Sequence, residues 1–166
     1  MTLEALPDRL AEETLAYRRA LGAFCTGVCV VTANSAEGPL GLTINSFASV
    51  SLEPRLVVWS LDERSLRWDA FAATDHFSVH VLRADDEVRA ARFAKGVWRL
   101  EAEDYRAGDT APVLPDVLAR FDCATFDRRQ VGDHLLIIGR VEAFEAEEGE
   151  GLTFFRGRYG TTETQA

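Results

Sequence analysis

The stretch "GLTINSFASVS", residues 41–51, carries no charged group, yet five of its eleven side chains are Thr, Asn or Ser. Two readings of that pattern stand. In one, a Ser/Thr-rich strand and bend turns its hydroxyls onto neighbouring backbone groups. In the other, hydroxyls and backbone N–H groups on rigid strands line a cavity for a neutral, multiply hydrogen-bonding ring with an anionic tail. Arg55, Arg64 and Arg67 lie just downstream, with Ser65 between the last two. Hydroxyls and backbone N–H groups hold a phosphate well where an arginine balances its charge.

The other chemistry-bearing residues are few. The chain has no GxSxG elbow, no GxxxxGK[ST] phosphate loop, no HExxH and no strand-linked GxGxxG. His76, His80 and His134 are the only histidines, so a three-histidine metal site would need all of them. His76 and His80 share one face of a strand by parity, but paired strand histidines more often occupy a rim or surface than ligate a metal. No metal site is expected. His134 reads either as a solvent-facing turn residue or as a donor near neutral pH. Cys25, Cys29 and Cys123 are an odd set without a paired CxxC spacing, which argues for buried free thiols rather than a disulfide framework or structural zinc.

These residues sit in a chain of 166, long enough for one domain with a substantial core. With 18 basic and 27 acidic side chains the formal charge is -9, a field that repels nucleic acid. No apolar run approaches the roughly 20 residues of a spanning helix. The N-terminal "MTLEALPDRLAEETLAYRRAL" has acids where a signal peptide needs basic residues, so a cytoplasmic protein without membrane attachment is expected.

Leu3, Leu6, Leu10, Tyr17 and Leu21 fall near helical spacing, with Asp8 after Pro7 as a cap and Gly22 as the stop. The β-branched "VCVVTAN" (28–34), "LGLTI" (40–44) and "LVVWSL" (56–61) predict three strands in an antiparallel meander. A helix over 63–73, a strand over 76–82 and a helix over 85–94 with Asp at its start follow. Residues 96–115 have no strong period, and 115–121 make at most two helical turns. Two long strands joined near Gly132-Asp133 complete the pattern, and the acidic "EAEEGEG" (145–151) reads as a solvated turn. Six or so strands with dispersed helices imply a closed or partly closed antiparallel barrel. Trp59, Trp68 and Trp98 read as packing residues.

The ordered stretches from "RRALGAFCTGVCVVTANSAEGPLGLTINSFASVSLEPRLVVWSLDERS" through "FSVHVL", "RFA" and "VGDHLLIIGRVEAF" to "FFRGRYG" resemble the short-chain flavin reductase family. The resemblance implies a mainly β, antiparallel split barrel of Greek-key type over 18–160, after a helical segment 1–17 and before a tail 161–166. It also implies a homodimer that passes a hydride from NADH or NADPH to FMN or FAD, with reduced flavin supplied to a separate monooxygenase component. The alternative on the same fold is a non-catalytic flavin-binding or redox-responsive module.

By resemblance, Thr43, Ile44, Asn45 and Ser46 hold the flavin ring, with Ser49 and Ser51 along the ribityl chain and phosphate. Ser60 and Leu61 end the neighbouring strand, Ser65 and Arg67 lie near the phosphate, and Phe93 contacts the cofactor. Gly132, Asp133 and His134 match the family's Gly-Asp-His motif where the nicotinamide approaches, with His134 as the catalytic residue and Tyr159 near the same pocket. Hydride transfer needs the two rings held together, with no protein nucleophile. Two departures from the family pattern stand out: His80 where Asn is usual, and Asp86 where Gln is common.

Overall fold

The computed structural model describes residues 5–96 and 99–162; Leu3 and Trp98 lie outside them. Helix α1, Ala5–Leu21, runs through Pro7 and Asp8 and stops at Gly22. The expected cap at Asp8 is therefore corrected: proline is tolerated in a first helical turn because its missing N–H would have had no intrahelical acceptor. Leu10, Leu15, Tyr17 and Leu21 remain exposed.

The main sheet has seven strands. β2 (Cys29–Ser35) pairs with β3 (Gly38–Ile44), and β4 (Ala48–Leu52) pairs with β5 (Arg55–Asp62). β6 (His76–Val81), β7 (Ala119–Val131) and β8 (His134–Ala146) complete the order β3-β2-β6-β7-β8-β5-β4, antiparallel throughout. β4 is an additional strand where the sequence predicts a strand and bend, and β5 crosses to β8 instead of continuing a meander. The two edge strands, β3 and β4, are consecutive in the chain and joined through 45–47, yet they form no ladder with each other. The sheet is thus an antiparallel barrel split along that seam.

A second sheet, order β1-β9-β10, is built from β1 (Thr26–Gly27), β9 (Leu152–Phe155) and β10 (Arg158–Thr161). All three strands are too short for a readable alternation. Helices α2 (Trp68–Ala73) and α3 (Glu87–Ala94) begin later than the sequence predicts. Asp86 stands at the start of α3 without a capping bond; one carboxylate oxygen lies 3.4 Å from Arg89 Nε. Residues 115–121 are not helical: Asp116 has φ 54° and β7 begins at Ala119.

β2 explains why the core is double. Cys29, Val31 and Ala33 face one cluster with Leu40, Trp59, Phe71, Phe77 and Ile137. Val28 and Val30 face a second with Leu82, Phe93, Leu100, Leu114 and Leu152. A strand buried on both faces loses polar alternation, which is why "VCVVTA" reads as a continuous apolar run. Trp59 is fully buried, with its ring edge-on to Phe71 at 5.2 Å and to Phe77 at 5.9 Å. Trp68 packs at the rim of the same cluster. Cys29 and Cys123 are buried and burial pushes both thiols up to about 12, whereas Cys25 is exposed, against the expectation of three buried thiols.

His80 has a structural role. Its Nδ1 lies 3.2 Å from the Val30 carbonyl, and the Leu114 N–H donates to its Nε2 at 3.1 Å. A carbonyl only accepts and an N–H only donates, so the ring is the neutral Nδ1–H tautomer. It clasps the long segment before β7 onto β2. Thr32 assists, donating to the Pro112 carbonyl at 2.6 Å. Among the described residues no His/Cys/Asp/Glu group is arranged to hold a metal, and no helix is long and apolar enough to cross a membrane.

Candidate functional site

A cleft of about 200 Å³ opens beside the seam of β3 and β4, between the end of β3 with the bend after it and the end of β5. Thr43, Ile44, Asn45 and Ser46 line it from β3 and the bend after it; Ser60, Leu61 and Asp62 line it from the end of β5, joined by Ser65 and His134. Eight of the predicted site residues therefore meet at one place, although they come from three separate parts of the chain.

The side chains divide into fixed and free groups. The Thr43 hydroxyl donates to the Ala90 carbonyl of α3 at 2.8 Å, leaving its oxygen lone pairs for the cleft. Ser46 Oγ accepts the Ser60 N–H at 3.0 Å and so closes the bend against β5. Ile44 and Leu61 are buried in the first core cluster, so their contribution to the cleft is mostly backbone. Asn45 is exposed, and its amide has no protein partner among the described residues. This set is uncharged, rigid and rich in donors and acceptors, which suits a neutral heteroaromatic ring.

The opposite wall is ionic. β7 and β8 join through Gly132-Asp133, with Val131 paired to His134. Gly132 has φ 61° while Asp133 stays in the ordinary negative-φ region, the pattern of a type II′ turn with glycine first. The turn places the His134 ring, half-exposed, with Nδ1 2.7 Å from Asp133 Oδ1. That bond holds the Asp133 carboxyl below its usual range. An ionised carboxylate only accepts, so Nδ1 carries the proton and Nε2 is the atom left for a ligand.

Asp62 pairs with His134 in register across β5 and β8. The Arg64 side chain grips it from Nε at 3.1 Å and from a terminal nitrogen at 2.8 Å, and the Arg64 N–H adds a third bond at 2.9 Å. These bonds, side chain first, hold Asp62 at about 2. Asp62 was not among the predicted site residues. Its signal was local: an Asp two residues before an Arg at a strand end is an Asx-type turn.

The remaining predicted residues lie elsewhere. Ser49 and Ser51 are on β4, flanking a bulge on the other lip of the seam. Gly132 and Asp133 form the turn behind His134, outside the cleft lining. Phe93 is a correction: it is 1% exposed in the second core cluster, with its ring where a Cβ on Gly41 would meet it at 3.1 Å. Tyr159 is on β10, its ring 5.4 Å from Phe154, and it does not line the cleft either. Arg67 is buried, donates to the Phe93 carbonyl at 3.1 Å, and has an Nε without a partner among the described residues. It borders a separate recess of about 530 Å³ with Asn34, Ser35 and Asp69, while Ser65, whose Oγ accepts the Arg67 N–H, borders the cleft. The expectation that both side chains face one phosphate is not met by a single recess.

Comparison with known proteins adds to this geometry. The profile described as Flavin reductase like domain matches residues 21–163. The chain is 45% identical over 150 residues to FMN reductase (NADH) SmoA of Agrobacterium fabrum, covering 90% of this chain and 86% of that protein. It is 39% identical over 153 residues to the reductase component of the flavin-dependent trigonelline monooxygenase of Acinetobacter baylyi, with 87% of this chain covered but only 47% of the relative, so it spans about half of that protein's length. Among solved structures, the NADH:FAD oxidoreductase SgcE6 of Streptomyces globisporus, in complex with NAD and FAD fragments, superposes with a TM-score of 0.85 at 31% identity, covering 93% of this chain and 96% of that one.

Proposed function

The chain belongs to the flavin reductase-like family, and from that premise we propose that it oxidises NADH or NADPH and reduces FMN or FAD at the split-barrel seam. The observation that carries this reading is the convergence, on one cleft, of the uncharged Thr43–Ser46 wall with the His134 turn. A flavin held by Thr43–Ser46 and Leu61 would accept a hydride, and a reduced nicotinamide beside His134 would supply it. The chain's residues need only bind, orient and exclude water.

The roles follow from the side-chain inventory. The backbone of Ile44 and Leu61 and the free Asn45 amide meet the ring's donors and acceptors. Thr43 accepts through its oxygen. Ser49, Ser51 and Ser65 extend along a hydroxylated tail. His134 presents Nε2 toward the reductant, as an acceptor when neutral and a donor when protonated. The Asp62 and Asp133 carboxylates flank it, and their negative charge favours the cationic ring that a nicotinamide becomes on losing hydride.

A cleft of about 200 Å³ is smaller than the roughly 300–1,000 Å³ in which small ligands are largely enclosed. A second copy of the chain supplies the missing wall in our reading, and a homodimer would also cover the exposed Leu10, Leu15, Tyr17 and Leu21 of α1 and Val50 and Leu52 of β4. The profile match begins at Leu21, where α1 ends, which supports treating 1–17 as a segment outside the barrel. The monooxygenase relative supports a partner oxygenase that receives the reduced flavin.

The test is steady-state oxidation of NADH and NADPH with FMN and FAD in all four pairings, followed at the reduced-nicotinamide absorbance band. Turnover above a protein-free flavin blank in at least one pairing is expected. No pairing above the blank refutes the activity.

A further inference from the structure

A basic groove lies away from the seam cleft. It has a volume of about 510 Å³ and is lined by Arg18, Arg19, Gly22, Arg156 and Gly157. Arg18 and Arg19 are in the last turn of α1, where cations offset the helix dipole, so those two alone carry no message. Arg156 is different. It and Gly157 are the two loop residues of the β9–β10 hairpin, with φ 48° and 80°, the type I′ pattern. The first position of that turn favours Asn, Asp or Gly, and a long side chain in the left-handed region is disfavoured. Strain of this kind points to function when the side chain it places has a use.

The rest of the groove is built around that side chain. The Arg156 N–H donates to the Gly22 carbonyl at 2.8 Å, locking the hairpin tip to the end of α1. Its guanidinium lies 5.2 Å over the exposed Phe155 ring, and Phe24, 76% exposed, is two residues from Gly22. Arg158 is exposed on the next strand. Among the described residues, none of these four arginines has a carboxylate partner within ion-pair distance, in a chain whose net charge is -9. Like charges gathered against the sign of the whole molecule call for an anion. Guanidinium forks match phosphate oxygens in pairs, and exposed rings beside them suit a stacking base.

We infer that this groove binds the diphosphate of a nucleotide, with Arg18, Arg19 and Arg156 on the phosphates and Phe155 beside the base. An adenine dinucleotide tail, from FAD or from NADH and NADPH, and a free nucleoside diphosphate share that chemistry. The groove does not include any residue of the seam cleft.

The test is calorimetric titration of the full-length chain with ADP and with pyrophosphate at low salt. The comparison is with R156N, whose new side chain suits the left-handed turn and keeps the fold, and with R18A/R19A. Saturable binding by the parent chain that weakens at least about tenfold in each variant is expected. Absent binding of both probes, or ADP affinity unchanged in R156N and in R18A/R19A, overturns the proposal. Parallel titrations with FAD, FMN, NADH and NADPH name the source. Weakening for FAD but not FMN assigns the flavin tail, weakening for the nicotinamide dinucleotides assigns the reductant, and weakening for ADP alone assigns a free nucleotide. Since FMN reduction is measured separately, loss of the groove is distinguishable from loss of the activity.

Discussion

Replacing His80 by asparagine should change how stability depends on pH. His80 is fully buried between Val30 and Leu114, and burial is the main reason its pKa falls to about 3. In the unfolded chain the same residue titrates near 6.5. Between those values the unfolded state binds a proton that the folded state refuses, so the stabilising advantage is complete above pH 6.5 and is lost as pH falls toward 3. One proton of difference costs about 1.4 kcal/mol per pH unit, which integrates to about 2 kcal/mol between pH 7 and pH 5. For a chain of this size that is roughly 4–8 °C in melting temperature. Asparagine retains a donor and an acceptor but does not titrate, so H80N should lose that component. Thermal melts of both proteins at pH 7 and pH 5 provide the assay, the parent falling further than H80N by about 2 kcal/mol. Equal falls in the two proteins would refute the assignment of His80 as a neutral clasp.

Other changes probe the site and the barrel. H134A should lower turnover by about tenfold or more while leaving flavin affinity nearly intact, as steady-state kinetics beside a binding titration will report. D133N should disturb the Nδ1–H tautomer and reduce kcat/KM with little change in the melting temperature, because the pair is at the surface. N45A should weaken flavin binding first, by about fivefold to tenfold, since its amide is free of other work. G139A should destabilise the fold by about 1–3 kcal/mol in urea unfolding, because the new Cβ would stand 2.5 Å from the Phe77 ring and 3.0 Å from Cys123 Cβ.

The long strands were readable because alternation and β-branching persist over many residues, and the Gly132-Asp133 turn because its chemistry is local. β1, β9 and β10 were not, since strands of two to four residues hold no period. The apparent helix at 115–121 failed for a related reason: seven residues with scattered apolar positions fit either period, and the Leu118 and Glu147 backbones pair in extended geometry. At the site, the motif order pointed to eight residues that gather at the cleft and seven that lie outside its lining, and it did not show which atoms remain free. Thr43 and Ser46 spend hydrogen bonds on Ala90 and Ser60, far apart in sequence. Phe93 and Arg67 lie off the cleft lining because helix α3 turns the first into the core and binds the second at its carbonyl end. The Asx-type turn signal at Asp62 is local, but its place opposite His134 comes from cross-strand register, which one chain of letters does not display.

The seam cleft as the place of flavin reduction is most directly tested by anaerobic rapid mixing of the protein, equilibrated with oxidised flavin, against NADH and against NADPH. Bleaching of the oxidised-flavin absorbance in step with loss of the reduced-nicotinamide band, one for one, and slowed in H134A, is the predicted result. Flavin that stays oxidised with both reductants, or bleaching at equal rates with and without the protein, would contradict it.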